Sequence, residues 1–448
     1  MRQSRYNVVV ERDECVWVYN GLSGVTVPVG SAEWRDLGAF LDGEDRAPPA
    51  TTLRELTGAR MLVTDDADEL EVLERRYRAG TADRTTFALT IVTSLGCNFD
   101  CPYCFEVKVP SILDEETERL LLEVLDEQLP ALTRFYVTWY GGEPLLGQDR
   151  LDRLSEAFLE RTTAAGVAYD ATIVTNGYLL TAETAARLRE LGVRSAQITL
   201  DGPPETHNRM RPLVSGRPTF DVILDNIERA ADLLPIAVRV NLDTANAAEA
   251  EHLLDLLAAR GLGGRITVAP GRIVAVDDGA GAPSETYAPA CFTVPEFARI
   301  ERTFLAQARE RGLASVDLPQ PVGSPCTAVR ANELVVGARG ELYKCWDSVG
   351  NAREVVGHLR SWRDPNDRVL KWLRYDPFTD EDCRSCIALP TCMGGCAHHA
   401  MLDRAGDSKC STFRTTYREQ VAEFAAAAEA AGATGPRRAL LPLVAVDA

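Results

Sequence analysis

F-A-L-T-I-V-T-S-L-G-C-N-F-D-C-P-Y-C, residues 87–104, joins an apolar, β-branched run to three cysteines, and its reading decides the fold. Phe87 to Val92 has the composition of a buried strand. Cys97, Cys101 and Cys104 follow at its carboxyl end. A cubane iron-sulfur cluster has four irons, and a protein normally supplies a thiolate to each. Three thiolates at x3 and x2 spacing therefore leave one iron for an outside chelator. Structural zinc prefers four ligands, usually in C-x2-C pairs, and no histidine or fourth cysteine lies near this run.

Downstream, strands alternate with helical patterns. Strands are expected at 87–93, 134–140, 169–175, 195–200, 236–243 and 265–270, with helices near 114–129, 150–165, 181–191, 220–234 and 246–260. Repeated βα units imply a parallel α/β sheet. Six strands are too few for a closed eight-stranded barrel, so the expectation is an open, partial (βα)6 TIM-like barrel. Unusual residues fall at the strand ends: Cys97, then Gly141-Gly142-Glu143-Pro144, then Asn176, Asp201 and Asn241. In barrel enzymes that end carries the chemistry.

These motifs resemble the radical S-adenosylmethionine (SAM) superfamily, whose signature is C-x3-C-x-aromatic-C, with Tyr103 in the aromatic place. W-Y-G-G-E-P resembles its second motif. I-T-L-D-G-P-P-E-T-H-N-R-M-R resembles S-x-D-G-x4-H-D-x2-R, with Thr199 for Ser and Asn208 for Asp. The resemblance implies that SAM chelates the open iron through its amino and carboxylate groups. Gly141, Gly142 and Glu143 would contact the amino end, and Arg211 would pair with the carboxylate. One electron from the cluster would cleave SAM to methionine and a 5′-deoxyadenosyl radical, which takes a hydrogen atom from substrate.

A second cysteine group reads Cys326, x13, Gly340-x4-Cys345, a gap, Cys383-x2-Cys386-x5-Cys392-x3-Cys396, a gap, and Cys410. This is similar to the seven-cysteine pattern of the SPASM extension of radical enzymes that modify peptides and proteins. By that resemblance Cys383, Cys386, Cys392 and Cys410 hold one auxiliary 4Fe-4S cluster and Cys326, Cys345 and Cys396 another, making three clusters in all. The second set has either an open iron or a fourth ligand from elsewhere, Cys291 being a candidate. A zinc ribbon at Cys383 to Cys396 would leave Cys326, Cys345 and Cys410 unexplained. Cys15 reads as a small buried hydrophobe.

The first 85 residues carry hairpin-like runs at 8–10, 16–19 and 25–27, the last ended by Pro28, then a helix from Ser31 to Leu41, a second near Leu53 and a short strand at 61–64. That order suggests a winged-helix-like module, which can take an extended peptide on a strand edge; a plain packing domain is the alternative. The expected domains are 1–85 for peptide recognition, 86–312 for the partial barrel, 313–415 for the SPASM segment and 416–448 for a C-terminal helix and tail. Residues 273–294 read as a loop.

With 448 residues, more than one domain is expected. A formal net charge of -18 argues against general nucleic-acid binding, which needs a basic surface. No apolar run approaches a membrane span and the N-terminus lacks a signal-peptide core, so a cytoplasmic protein is expected. Twelve cysteines in that compartment read as cluster ligands rather than disulfides.

Sulfatase maturases share the SPASM pattern, but begin their cluster motif earlier and place Asp directly after the G-x4-C cysteine. Here Trp346 follows Cys345, with Asp347 next. The long N-terminal unit instead looks like that of maturases of ribosomally made peptides. The expectation is a maturase that abstracts a hydrogen from a core-peptide residue and forms a carbon-carbon or thioether cross-link. Its partners would be a precursor peptide with a leader and an electron donor such as flavodoxin or ferredoxin. Formylglycine formation, epimerisation, small-molecule cofactor biosynthesis and a non-catalytic cluster scaffold are the alternatives. Asp347, Glu106, His207 and the pair His398-His399 are candidate bases, the histidine pair reading also as a cap on a solvated helix.

Overall fold

The computed structural model of the chain describes residues 1–274, 281–287, 291–364, 366–402, 407–432 and 437–438. They form two compact units. One comprises Met1–Ala82, Val316–Val329 and the chain from Tyr375 onward; the other comprises Asp83–Ser315 and Arg330–Arg374.

The first unit begins with β1 (Arg2–Gln3), β2 (Asn7–Arg12), β3 (Cys15–Asn20), β4 (Val25–Gly30), α1 (Ser31–Leu41), α2 (Ala50–Gly58), β5 (Leu62–Val63) and α3 (Glu69–Ala82). β2, β3 and β4 make an antiparallel meander, with Val8 opposite Tyr19 and Val18 opposite Val27. Its tight turns use positive φ at Asp13 and Gly24. β4 runs on through Pro28, where the sequence suggested a stop. Among the described residues its far neighbour pairs with Val25 and Thr26 and not with Pro28, where a missing N–H is tolerated. α3 has no counterpart in the sequence reading, because Leu73 and Tyr77 are its only buried apolar residues among many charges.

The second unit continues with β6 (Thr86–Ser94), α4 (Glu115–Gln128), β7 (Arg134–Gly141), α5 (Gln148–Ala165), β8 (Ala168–Thr175), α6 (Ala182–Glu190), β9 (Val193–Thr199), α7 (Pro204–Met210), α8 (Phe220–Ala230), β10 (Ile236–Leu242), α9 (Ala250–Ala259), β11 (Ile266–Arg272), α10 (Pro283–Thr286) and α11 (Val294–Glu310). β12 (Glu333–Val336), β13 (Glu341–Tyr343), β14 (Gly357–His358) and α12 (Asp367–Leu373) complete it. The sheet order is β11-β10-β9-β8-β7-β6-β12-β13-β14. β6 to β11 are parallel throughout, an open α/β sheet. β12 adds a further parallel strand beside β6 that the sequence reading did not contain. α4, α6 and α11 start on side-chain caps, Asp114, Thr181 and a Thr293–Glu296 capping box in turn.

The chain then returns to the first unit with α13 (Glu381–Arg384), α14 (Leu389–Cys392), α15 (Ala397–Met401), α16 (Phe413–Ala430) and β15 (Arg437–Arg438), which pairs with β4. Val8, Trp17 and Tyr19 share one core with Ala388 and with Phe413, Val421 and Phe424 of α16. Tyr6, Leu73 and Tyr77 share another with Phe378, Cys383 and Leu389. Each fully buried aliphatic or Phe side chain contributes roughly 1.5–3 kcal/mol, so the N-terminal sheet and the cysteine-rich segment are stabilised together. The expected loop at 273–294 lies partly outside the described residues, at 275–280 and 288–290, and the apolar tail from 439 lies wholly outside them.

Candidate active site

β6 leads directly into the loop of Cys97, Cys101 and Cys104. The Phe99 amide donates to Cys97 Sγ at 3.3 Å, and the Cys104 amide to the Cys101 carbonyl at 3.3 Å. Burial pushes the Cys97 thiol up to about 11 and that of Cys104 up to about 12, and it raises Cys101 as well. Bare thiols here stay protonated; a set of thiolates requires positive charge from a bound metal centre. Among the described residues no three His, Cys, Asp or Glu side chains gather around a single-ion site. The fit to a cluster therefore rests on thiol chemistry and on the number of cysteines.

The glycines after β7 serve close backbone packing. A Cβ on Gly141, at φ 130°, would stand 2.3 Å from the Ser94 carbonyl oxygen, and one on Gly142 2.6 Å from that of Gly96. The amides of Gly142 and Glu143 donate to those same two oxygens at 3.0 Å. Glu143 is fully buried and its carboxylate is committed: it accepts from Thr175 Oγ1 at 2.7 Å, the Asn176 amide at 2.8 Å and the Leu145 amide at 3.0 Å. Burial raises its pKa against these bonds. The side chain thus braces the ends of β7 and β8. Pro144 opens the 3-10 turn that follows, and its carbonyl accepts from Thr93 Oγ1. Asn176 Nδ2 donates to Asn98 Oδ1 at 2.7 Å, tying the β8 end to the cysteine loop.

Across the mouth, Tyr103 donates to Asp201 Oδ2 and accepts from Arg211 Nη1 and, at 3.3 Å, from Asn241 Nδ2. The Asn241 amide donates to Asp201 Oδ1 at 2.9 Å. Arg211 stands 3.8 Å from Asp201 and over the Phe99 ring. Burial raises Asp201, and the Arg211 charge opposes that rise. Asn208, in the place of an aspartate, accepts from the Thr219 and Phe220 amides at the start of α8, which an amide oxygen does as well as a carboxylate. Sequence reasoning missed Tyr287, which donates to Asp243 Oδ2 at 2.6 Å and meets the Tyr103 ring edge-on at 6.2 Å. Nothing in its short loop signals that role.

Of the candidate bases, Glu106 and Asp347 lie close enough to repel each other. Glu106 is pushed up to about 7, chiefly by burial, while a bond from Tyr140 opposes the rise. Trp346 packs on Tyr140 at 5.1 Å between ring centres. His207 sits behind Asp201, with Nδ1 accepting the Asp201 amide at 3.2 Å. His398 and His399 are buried, not at a solvated cap: α15 packs inward, and His399 Nδ1 lies 3.0 Å from the Ser408 carbonyl oxygen.

In the first unit Cys383, Cys386, Cys392 and Cys410 line one pocket, with Leu389 and Arg414. Arg414 Nη1 lies 3.2 Å from Cys410 Sγ. Met393, Gly394 and Gly395 all take positive φ, the sharp turn that separates Cys392 from Cys396. Burial pushes Cys383 up to about 12 and Cys392 up to about 11. Cys326 belongs to this unit, near Tyr77 and Tyr375. Cys345 belongs to the second unit, as does Cys291, near Tyr287. Cys15 packs against the β2–β3 core.

Residues 91–257 match the model of the Radical SAM superfamily. A serine-type anaerobic sulfatase-maturating enzyme of Bacteroides thetaiotaomicron is 32% identical over 29% of this chain and 33% of its own length. Mycofactocin maturase MftC of Mycobacterium tuberculosis is 24% identical over 69% of this chain and 77% of its own. The crystal structure of Streptococcus suis SuiB superposes with a TM-score of 0.53 at 14% identity, covering 92% of this chain and 100% of SuiB; SuiB bound to precursor peptide SuiA gives 0.51. The chain spans about a third of the sulfatase-maturating relative and over three quarters of MftC. The matched region, residues 91–257, takes in the three-cysteine loop at the end of β6 and the parallel strands through β10.

Proposed function

We propose that the protein is a radical SAM maturase of a ribosomally made precursor peptide, forming a carbon-carbon or thioether cross-link within it. The carrying observation is that Cys383, Cys386, Cys392 and Cys410 line one pocket whose walls share hydrophobic cores with the N-terminal antiparallel sheet. A unit that joins a cysteine cage to a sheet with edge strands suits an enzyme that must hold an extended peptide by strand addition. Kinship with a relative named as a maturase supports this reading.

Cys97, Cys101 and Cys104 would hold the SAM-binding 4Fe-4S cluster, and the pocket cysteines a first auxiliary cluster. Bound together, cluster and SAM supply a one-electron cleavage that yields a carbon radical able to take hydrogen from an unactivated carbon. The chain's own part is to orient and to exclude water. Glu143 stiffens the mouth through Thr175 and Asn176. Tyr103, Asp201, Arg211 and Asn241 form a partly buried polar wall against which the cofactor would lie. Cross-linking removes two hydrogen atoms from the peptide: one goes to the deoxyadenosyl radical, and the other leaves as a proton and one electron, which would return to a cluster and replace the electron spent on SAM, the auxiliary cysteines offering a place to receive it.

Formylglycine formation is a second reading, favoured by the sulfatase-maturating relative and by Asp347 close to Glu106. Anaerobic incubation of reconstituted protein with reductant, SAM and the short peptide encoded beside its gene, read by mass spectrometry, separates the two. A peptide lighter by two hydrogens and cross-linked on fragmentation, with 5′-deoxyadenosine, supports the maturase. Conversion of a sulfatase-motif Cys or Ser peptide instead supports the second reading, and absence of the nucleoside overturns both.

A further inference from the structure

The pocket that Cys383, Cys386, Cys392 and Cys410 line has two charged residues in its wall, Asp382 and Arg414. Asp382 is exposed, so solvent screens its charge, whereas Arg414 is half-buried. Arg414 stands in the first turn of α16, four residues after Cys410, and its Nη1 donates to Cys410 Sγ at 3.2 Å. Packing anchors that turn. Phe413 meets the Tyr19 ring edge-on at 6.0 Å, and Val421, Phe424, Ala425 and Ala428 lie in the core that α16 shares with Val8 and Trp17. Two other sulfurs of the set take neutral donors: the Ser411 and Gly394 amides at Cys392, and the Ala388 and Leu389 amides at Cys386. A second cation, Lys409, is paired with the Asp380 carboxylate. Arg414 thus brings a charged donor to the cage, and a guanidinium does not shed its proton.

Hydrogen bonds to the sulfurs and the net charge around an iron-sulfur cluster set its reduction potential. Four thiolates make such a cluster anionic, and reduction adds one more negative charge. A fixed cation bonded to one of the sulfurs favours the more negative state and so raises the potential. We propose that Arg414 sets the reduction potential of the auxiliary cluster held by Cys383, Cys386, Cys392 and Cys410, keeping it high enough to take the electron that the substrate radical sheds. The assignment rests on the cluster and maturase readings above. In that step the carbon radical of the peptide bonds to the second residue, whose hydrogen leaves as a proton. One electron is left over; the radical is oxidised by it and the auxiliary cluster is reduced by it. The cluster then passes that electron to the SAM-binding cluster, which spent one on SAM. Arg414 acts through the Cys410 sulfur as a positioning residue, and its charge rather than its bulk carries the effect.

The test is a redox titration of reconstituted full-length wild type, Arg414→Lys and Arg414→Gln, followed by electron paramagnetic resonance. The signal of this cluster is the one absent from Cys386→Ala and unmoved by added SAM. In Arg414→Gln the equilibrium constant for reducing it falls at least about tenfold, which for one electron is a shift of about 59 mV to lower potential. Arg414→Lys keeps the charge and recovers at least about half of that shift. Iron and sulfide contents match wild type in both variants. With the precursor peptide encoded beside the gene, Arg414→Gln forms more 5′-deoxyadenosine per cross-linked peptide than wild type, because the radical meets a poorer acceptor. An unmoved potential with intact iron overturns the assignment. So does an equal shift in Arg414→Lys and Arg414→Gln, which marks a packing role, and so does loss of the cluster's iron from both. A wild type with no signal that depends on Cys386 overturns the cluster reading and this assignment with it. A wild type that shows the signal but modifies no peptide overturns the maturase reading and the acceptor role, while the shift in potential still decides whether Arg414 tunes the cluster.

Discussion

Gly395 packs so closely on Lys409 that a Cβ on the glycine would stand 1.8 Å from the Lys409 carbonyl oxygen. The Cys396 amide donates to that same oxygen at 2.9 Å. This approach brings Cys410, the residue after Lys409, to the pocket that Cys383, Cys386 and Cys392 line. Gly395→Ala forces the two segments apart, at a cost of about 4 kcal/mol or more. Iron and sulfide analysis of the reconstituted variant should show about four irons per chain fewer than wild type, one cluster's worth.

Glu143 is a brace, and its isostere is a poor substitute. Glu143→Gln keeps the shape but turns one acceptor oxygen into an NH2 that must face either the Asn176 amide or the pair of Thr175 and Leu145 donors. Leaving a buried donor unmatched costs about 1–3 kcal/mol. Urea unfolding of the two proteins should show the variant less stable by that amount with an unchanged m-value.

Loss of the Tyr103 hydroxyl removes the shared partner of Asp201, Arg211 and Asn241. Tyr103→Phe leaves the wall without its centre, and SAM affinity, measured by equilibrium dialysis on the reconstituted protein, should fall about tenfold for loss of a charge-assisted network. Unchanged affinity would remove Tyr103 from the cofactor wall.

His207 makes stability depend on pH. Burial first, and the Arg211 charge second, hold its pKa well below the usual 6.5, so it stays neutral in the folded protein. The unfolded chain binds a proton there as pH falls through about 6.5 and the folded chain does not. The contribution is therefore complete above that pH and is lost below it, at up to about 1.4 kcal/mol per pH unit. Urea midpoints between pH 7.5 and 5.5 should fall less steeply for His207→Gln than for wild type by that slope.

The chemistry was legible in the sequence because it is written in short spacings. The C-x3-C-x2-C run at the end of an apolar strand, the βα alternation behind it and the later cysteine series each lie within contiguous residues, and local periodicity reports them. α1 was readable to its ends, Ser31 to Leu41, whereas in α3 Leu73 and Tyr77 are set among many charges. β12 escaped because its four residues join β6 from far along the chain.

Sequence by itself determined the cysteine spacings, the parallel α/β architecture and the strand ends that face one mouth. Tertiary structure alone decided what those ends do. It gave the Glu143 carboxylate to Thr175, Asn176 and Leu145, and joined Tyr103 to Arg211 across 108 residues and to Asn241 across 138. It also distributed Cys326 and Cys345 to different units. Spacing along a chain reports neighbours within a turn or a strand, whereas the pairing of buried charges is settled by which distant side chains meet where water is excluded.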